Sequence, residues 1–131
     1  MPGSRAGTVT VNIEWDPRAL QQLKAAAAGA LERTAVDVLT DIRHSQVVPK
    51  DTGALEESGF VYIMGLAASI IFDTPYARRL YWHPEYNFRQ DKNPDAQGLW
   101  MDMYLPGGEK EDFIPNTFAA HYKALSKGLI T

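Results

Sequence analysis

Cysteine is missing from all 131 residues. That excludes a disulfide scaffold, thiolate metal sites and a cysteine nucleophile together, and leaves only oxygen and histidine as metal ligands. Clustered basic charge is missing too. Lys and Arg total 13 against 16 Asp and Glu, a formal charge of −3, and sequence-independent DNA binding needs grouped cations to neutralise phosphates. Arg78-Arg79 is a pair rather than a stripe, suited to salt bridging or to solvating a helix surface. Long apolar runs are also lacking. The longest, from Ile63 to Phe72, is broken by Gly65 and Ser69 and falls well short of the roughly 20 apolar residues that cross a bilayer. The opening Met1-Pro2-Gly3-Ser4-Arg5 carries no apolar signal core, so the expectation is a chain made in the cytosol, with no membrane partner.

What remains is an ordinary globular composition, 45% hydrophobic and 22% charged, which argues against disorder and against a filament. The length suits a single domain over 1–131, large enough for a core yet marginal enough to be completed by a partner.

Thr8-Val9-Thr10-Val11-Asn12-Ile13-Glu14-Trp15 alternates polar and apolar residues and predicts a strand over 8–15 with one buried face. Asp16-Pro17 then signals a helix start, with Asp as N-cap and Pro in the first turn. A long helix over 16–46 follows, its apolar stripe read as Leu20, Leu23, Ala27, Leu31, Ala35, Val38 and Ile42. At about 45 Å it exceeds what a core of this size needs, which points to packing on a neighbour. The small-residue stretch from Ala25 to Ala30 expresses either strong helix propensity or a close helix–helix or subunit contact.

Pro49 ends the helical region, and Gly53 allows a turn. The runs Phe60 to Met64 and Ala67 to Phe72, split by Gly65-Leu66, predict a β-hairpin over 60–73. Residues 86–97 read as a polar surface loop. Asn93-Pro94-Asp95 could open a short helical stretch carrying Leu99, Trp100 and Met103, and a last helix is expected over 116–127. The fold class is therefore α+β: a small antiparallel sheet packed against one long N-terminal helix, with short C-terminal helices.

Chemistry is sparse. Asp51-Thr52-Gly53 has the letters of an aspartic protease half-site, yet it follows a helix, a Pro and a Lys instead of lying in an apolar loop after a strand, and one chain would need a second to complete the dyad. Local hydrogen bonding by Asp51 and Thr52, with Gly53 in a special backbone conformation, explains the triplet more simply. His83 and Glu85, with His121 or His44, could in principle ligate zinc, but no recognised metal spacing is present. Ser58 and Ser69 lack a nucleophile elbow, and Gly65, Gly107 and Gly108 form no phosphate loop. The sequence supports no catalytic residue, no metal and no cofactor, so the expectation is not an enzyme.

The aromatic residues Tyr76, Tyr81, Trp82, Tyr86, Phe88 and Trp100, with Arg78 and Arg79, are the types that dominate binding hot spots. They are the candidate interface, although core packing claims some of them. Stacking on single-stranded nucleic acid would require more interleaved cations.

Two segments carry a likeness. Pro49, Asp51, Thr52, Gly53, Leu55 and Ser58 fill a Pro-x-Asp-Thr-Gly-x-Leu turn before a hairpin, and Tyr76-Ala77 opens the segment after it. In this the chain resembles the tail-completion and minor capsid proteins of long-tailed phages, over about Val36 to Phe88 and more loosely at Ala96 to Met103 and Phe113-Ile114-Pro115. Tyr81-Trp82-His83-Pro84 departs from the commonest tail-completion form, which has an acidic residue and Gly-Thr there. With Asn93, Ala96 and Trp100 it looks more like the minor capsid branch. The resemblance implies a structural virion protein of the neck, at the head-to-tail junction of a phage or prophage, assembled in the host cytoplasm. It would form a homo-oligomeric ring, six- or twelve-fold. Its partners would be portal, adaptor or head-completion proteins on one side and tail terminator or tail tube on the other, with DNA only passing through a lumen. A tail terminator or other tail protein is the alternative within this class. A small metal-dependent hydrolase or protease is the alternative outside it.

Overall fold

A computed structural model describes residues 7–14, 16–50 and 53–128. The fold is α+β, with a long N-terminal helix, a two-stranded antiparallel sheet against it, and short helices toward the C-terminus.

Helix α1 spans Pro17–His44, and it starts where the Asp-Pro signal says it should. Asp16 is extended, and its carboxylate accepts the Arg18 amide at 3.0 Å, satisfying one of the orphan donors of the first turn. The helix ends two residues before the expected 46. Gln46 takes φ +55, a left-handed conformation that terminates the helix ahead of Pro49.

The buried face is Ala26, Ala30, Thr34, Ala35, Val38, Leu39 and Ile42. Its second half coincides with the predicted stripe. Its first half is rotated, because α4 (Phe113–Leu125) lies along the small residues instead of along Leu20 and Leu23. A side-chain carbon on Gly29 would stand 3.1 Å from Leu125 Cδ1, so the thin stretch serves a close helix–helix contact within the chain. Thr34 can be buried there because its hydroxyl donates to the Ala30 carbonyl at 2.6 Å. Residues 17–25 include no buried side chain, so the first turns of α1 overhang the core.

The strand expected over 8–15 is not present in 8–14, which belong to neither sheet nor helix, and Trp15 lies outside the described residues. Val9, Val11 and Ile13 are 87%, 77% and 85% exposed. Alternation equips a segment for a ladder but supplies no partner edge. This one enters α1 at the end opposite the hairpin, which sits near Arg43, whose guanidinium donates to the Gly59 carbonyl at 2.8 Å.

After the one-turn helix α2 (Ala54–Glu57), β1 (Gly59–Met64) and β2 (Ala67–Phe72) pair antiparallel, from Gly59 opposite Phe72 to Met64 opposite Ala67. Val61, Ile63, Ala68 and Ile70 are the better-covered positions, while Phe60, Tyr62 and Met64 point outward and are exposed. Helix α3 (Ala77–Tyr81) follows, with Tyr76 as its N-cap.

The helical stretch expected from Asn93 shrinks to a single 3-10 turn, Asp102–Tyr104. Leu99, at φ +49, interrupts helical geometry just before it. Helix α4 starts three residues ahead of the expected 116. Pro115 sits in its first turn, where a missing N–H costs nothing, so Phe113 can open it.

The core gathers Val38, Ile42, Val47, Val48, Leu55, Ala77, Trp100 and Tyr104, with Ile70, Phe72, Leu80 and Phe113 against its margin.

Candidate interface

The turn after α1 is built by burial and by a backbone reversal. Pro49 is buried, Leu55 drops into the core, and Gly53 takes φ +91, a conformation that L side chains avoid. Asp51 and Thr52 lie outside the described residues. Lys50 pairs with Glu56 at 3.2 Å. Buried Asn93 donates from Nδ2 to the Val48 carbonyl at 2.8 Å and to Glu56 Oε1 at 3.2 Å, and the Gln97 amide donates to the Val47 carbonyl at 2.9 Å. The polar loop 86–97 is thereby tied to the turn at its far end.

Three of the segments that carry the likeness meet at this corner, while Ile114 of the Phe113-Ile114-Pro115 segment lines a separate groove. Asn93, Ala96 and Trp100 are all buried, and an open groove of about 740 Å³ is lined by Pro49, Lys50, Gly53 and Leu55 on one side and by Tyr76, Leu80, Tyr86 and Phe88 on the other.

The candidate aromatics divide. Trp100 is 2% exposed and belongs to the core, so its reading as an interface residue is corrected. Its ring meets Phe72 edge-on at 5.6 Å and Tyr81 at 4.8 Å, because Leu99 turns the chain inward as its amide donates to the Tyr81 carbonyl at 2.8 Å. Tyr81 is half-buried. Its hydroxyl donates to Asp102 Oδ1 at 2.6 Å, and burial together with that carboxylate pushes the phenol well above its ordinary range.

Trp82, edge-on to Tyr81 at 5.0 Å, is 62% exposed. It shares a shallow surface depression with Pro75, Arg78, Arg79 and His83. His83 stacks on Tyr86 at 4.7 Å, Tyr86 stands 6.3 Å from Phe88, and Tyr76 is exposed beside them. The chain of rings thus runs from the core through Tyr81 to a surface patch bearing two arginines.

The histidines sit in pairs. His83 Nδ1 lies 2.8 Å from Glu85 Oε1, which holds the Glu85 carboxyl below its ordinary range, and His121 Nε2 lies 2.7 Å from Asp37 Oδ2. Among the described residues no group of three His, Asp or Glu side chains is placed to hold a metal ion, so His83 and Glu85 are not joined there by His44 or His121. No helix among the described residues is long and apolar enough to cross a membrane.

Two features were missed by sequence reasoning. Asp41 accepts from Tyr104 at 2.5 Å and from Lys110 at 2.7 Å, with Lys110 also reaching Ser45 Oγ at 3.0 Å. Partners so distant in the chain give no local signal. The exposed row Phe60, Tyr62 and Met64 did leave one: the first strand is apolar on both faces, the pattern of a strand covered on both sides.

Comparison with models of known protein families, with curated proteins and with solved structures finds no match.

Proposed function

We propose that the chain is a structural virion protein of the neck of a long-tailed phage or prophage, acting as a ring between the portal or adaptor side and the tail. The observation that carries this reading is the meeting of three likeness-bearing stretches: Pro49, Lys50, Gly53, Leu55 and Tyr76 border one groove, and Asn93, Ala96 and Trp100 are buried, with Asn93 bonded to the Val48 carbonyl. Segments far apart in sequence that build one corner support reading them as one structural unit.

Three further features support it. The first turns of α1 extend beyond the core without buried side chains. The outer face of the hairpin and the arm before α1 both expose large apolar residues, the kind of surface that associating proteins cover. A mild negative charge, −3, suits a wall past which DNA slides without sticking.

The test is the mass in solution, by light scattering, of the purified 14.6 kDa chain, alone and with the portal, adaptor and tail proteins encoded beside it. A ring-sized oligomer, alone or once those proteins are added, supports the proposal. A monomer that ignores them rejects it.

A further inference from the structure

We propose that residues 8–14 of one copy lie as a third strand along the outer edge of β2 in the next copy, with Val9, Val11 and Ile13 seated in the groove beside it. The inference deepens the ring reading and rests on self-association of the chain.

The receiving site has two parts. Met64 and Ala67 close a two-residue turn, so alternation of the ladder makes Ala68 and Ile70 direct their N–H and C=O groups away from β1. Among the described residues no backbone hydrogen bond from outside the hairpin reaches them. On the opposite edge only the Gly59 carbonyl is engaged among the described residues, accepting from Arg43, so what singles out the β2 edge is the groove next to it. Beside β2 runs an apolar groove of about 280 Å³, lined among others by Leu31, Ala35, Ile70, Met101, Leu105 and Ile114. A row of unpaired backbone groups next to an apolar trough is a template for an added strand.

The arm has the complementary chemistry. Val9, Val11 and Ile13 fall on one face of an extended segment and Thr10 and Asn12 on the other, so a single strand presents apolar side chains to the groove and polar ones to water. Its seven residues match the six of β2.

Reach decides whose arm it is. Val11 is five residues before Asp16, about 17 Å of extended chain. Ala35, at the middle of the groove's helical wall, lies about 27 Å along α1 from Pro17. Even Val9, about 24 Å back when fully extended, only attains the near lip at Leu31, about 21 Å along the helix. The full apolar row cannot seat in its own copy, so a second copy supplies it. Each copy then offers one arm and one groove, a head-to-tail contact of the kind that closes rings.

Two full-length variants test this: an arm variant with V9D, V11D and I13D, and a groove variant, L105D. All four positions are exposed, and unchanged far-ultraviolet circular dichroism checks the fold of each. Each variant alone is expected to run as a monomer. Their mixture is expected to stop at a one-to-one pair, because it holds one intact arm for one intact groove. Amide exchange at Ala68 and Ile70 is expected to be slow in the assembled protein and at least about tenfold faster in the arm variant, with Ser69 unchanged. An arm variant that assembles like the unmodified chain overturns the inference and leaves the ring reading standing. An unmodified chain that is monomeric with and without the neck proteins overturns both. A monomer whose Ala68 and Ile70 amides are slow, and speed up in the arm variant, means the arm folds on its own copy and overturns the exchange between copies.

Discussion

The side-chain amide of Asn93 directly links the loop before Trp100 to the end of the α1 turn: it donates to the Val48 carbonyl at 2.8 Å while both residues are buried. A buried carbonyl stripped of its partner pays the full cost of desolvation. Asn93→Leu keeps the volume and removes the donor, so unfolding is expected to be easier by about 1–3 kcal/mol. Urea denaturation measures it, and an unchanged midpoint would show that the loop is held by the Gln97–Val47 backbone bond and the packing of Ala96 and Trp100 without the Asn93 amide.

Gly53 makes a sharper test of the turn. At φ +91 any L side chain is strained, yet a carbon there would meet Glu57 Oε1 and Lys50 Cε at 3.4 Å, ordinary contact distances. The cost of substitution is therefore backbone strain rather than collision. Gly53→Val is expected to lose about 1–3 kcal/mol, and Gly53→Asn distinctly less, since Asn tolerates the left-handed region. Equal melting temperatures for both variants and the parent would remove the turn from the account.

The elements that were legible in the sequence are those whose cause is local. Asp16-Pro17 marks the start of α1, and Gly65-Leu66 between two β-branched and aromatic runs marks the hairpin. Both are satisfied by neighbours within a few residues. The fate of residues 8–14 was not legible, because alternation describes a strand's faces while its partner edge is a long-range matter. The stripe on α1 was half legible for the same reason. Val38 and Ile42 meet the core whatever else happens, whereas the choice of Ala26 and Ala30 over Leu20 and Leu23 depends on where α4 docks. At the candidate interface, composition identified the aromatic group but could not sort Trp100, sunk in the core, from Trp82 on the surface.

Asp41 ties α1 to the chain after the 3-10 turn, and its pairing is pH-dependent. Burial raises its carboxyl, but hydrogen bonds from Lys110 and Tyr104 and the charges of Lys110 and His44 outweigh that and hold it below the ordinary 3.8. A carboxylate depressed in the folded state contributes stability that is complete above its unfolded value and lost as the pH falls through the folded one. Urea midpoints taken from about pH 5 down to about pH 2 are therefore expected to fall less steeply for Asp41→Asn than for the parent. At neutral pH the same variant is expected to be weaker by about 1–2 kcal/mol, because Lys110 loses its ion pair. Parallel slopes would assign the acid sensitivity elsewhere.

Trp100 and Trp82 separate folding from assembly. Trp100 is packed edge-on by Phe72 and Tyr81, so Trp100→Ala opens a cavity at the centre of the core and is expected to cost about 3–5 kcal/mol. Trp82 touches Tyr81 and otherwise faces water beside Arg78 and Arg79, so Trp82→Ala is expected to change stability by no more than about 0.5 kcal/mol. If the aromatic patch is a docking surface, the loss of Trp82 appears instead in association with the neck proteins, as a weaker complex from a normally folded chain. Tyr81→Ala should damage both, since that ring touches Trp100 on one side and Trp82 on the other. His83→Ala removes an exposed pair with Glu85 and a stack on Tyr86 at the surface and should damage both less than Tyr81→Ala does. Thermal unfolding and sedimentation of the four variants, alone and mixed with those proteins, give the ranking. A Trp82 variant that assembles normally would leave the patch without a role in docking.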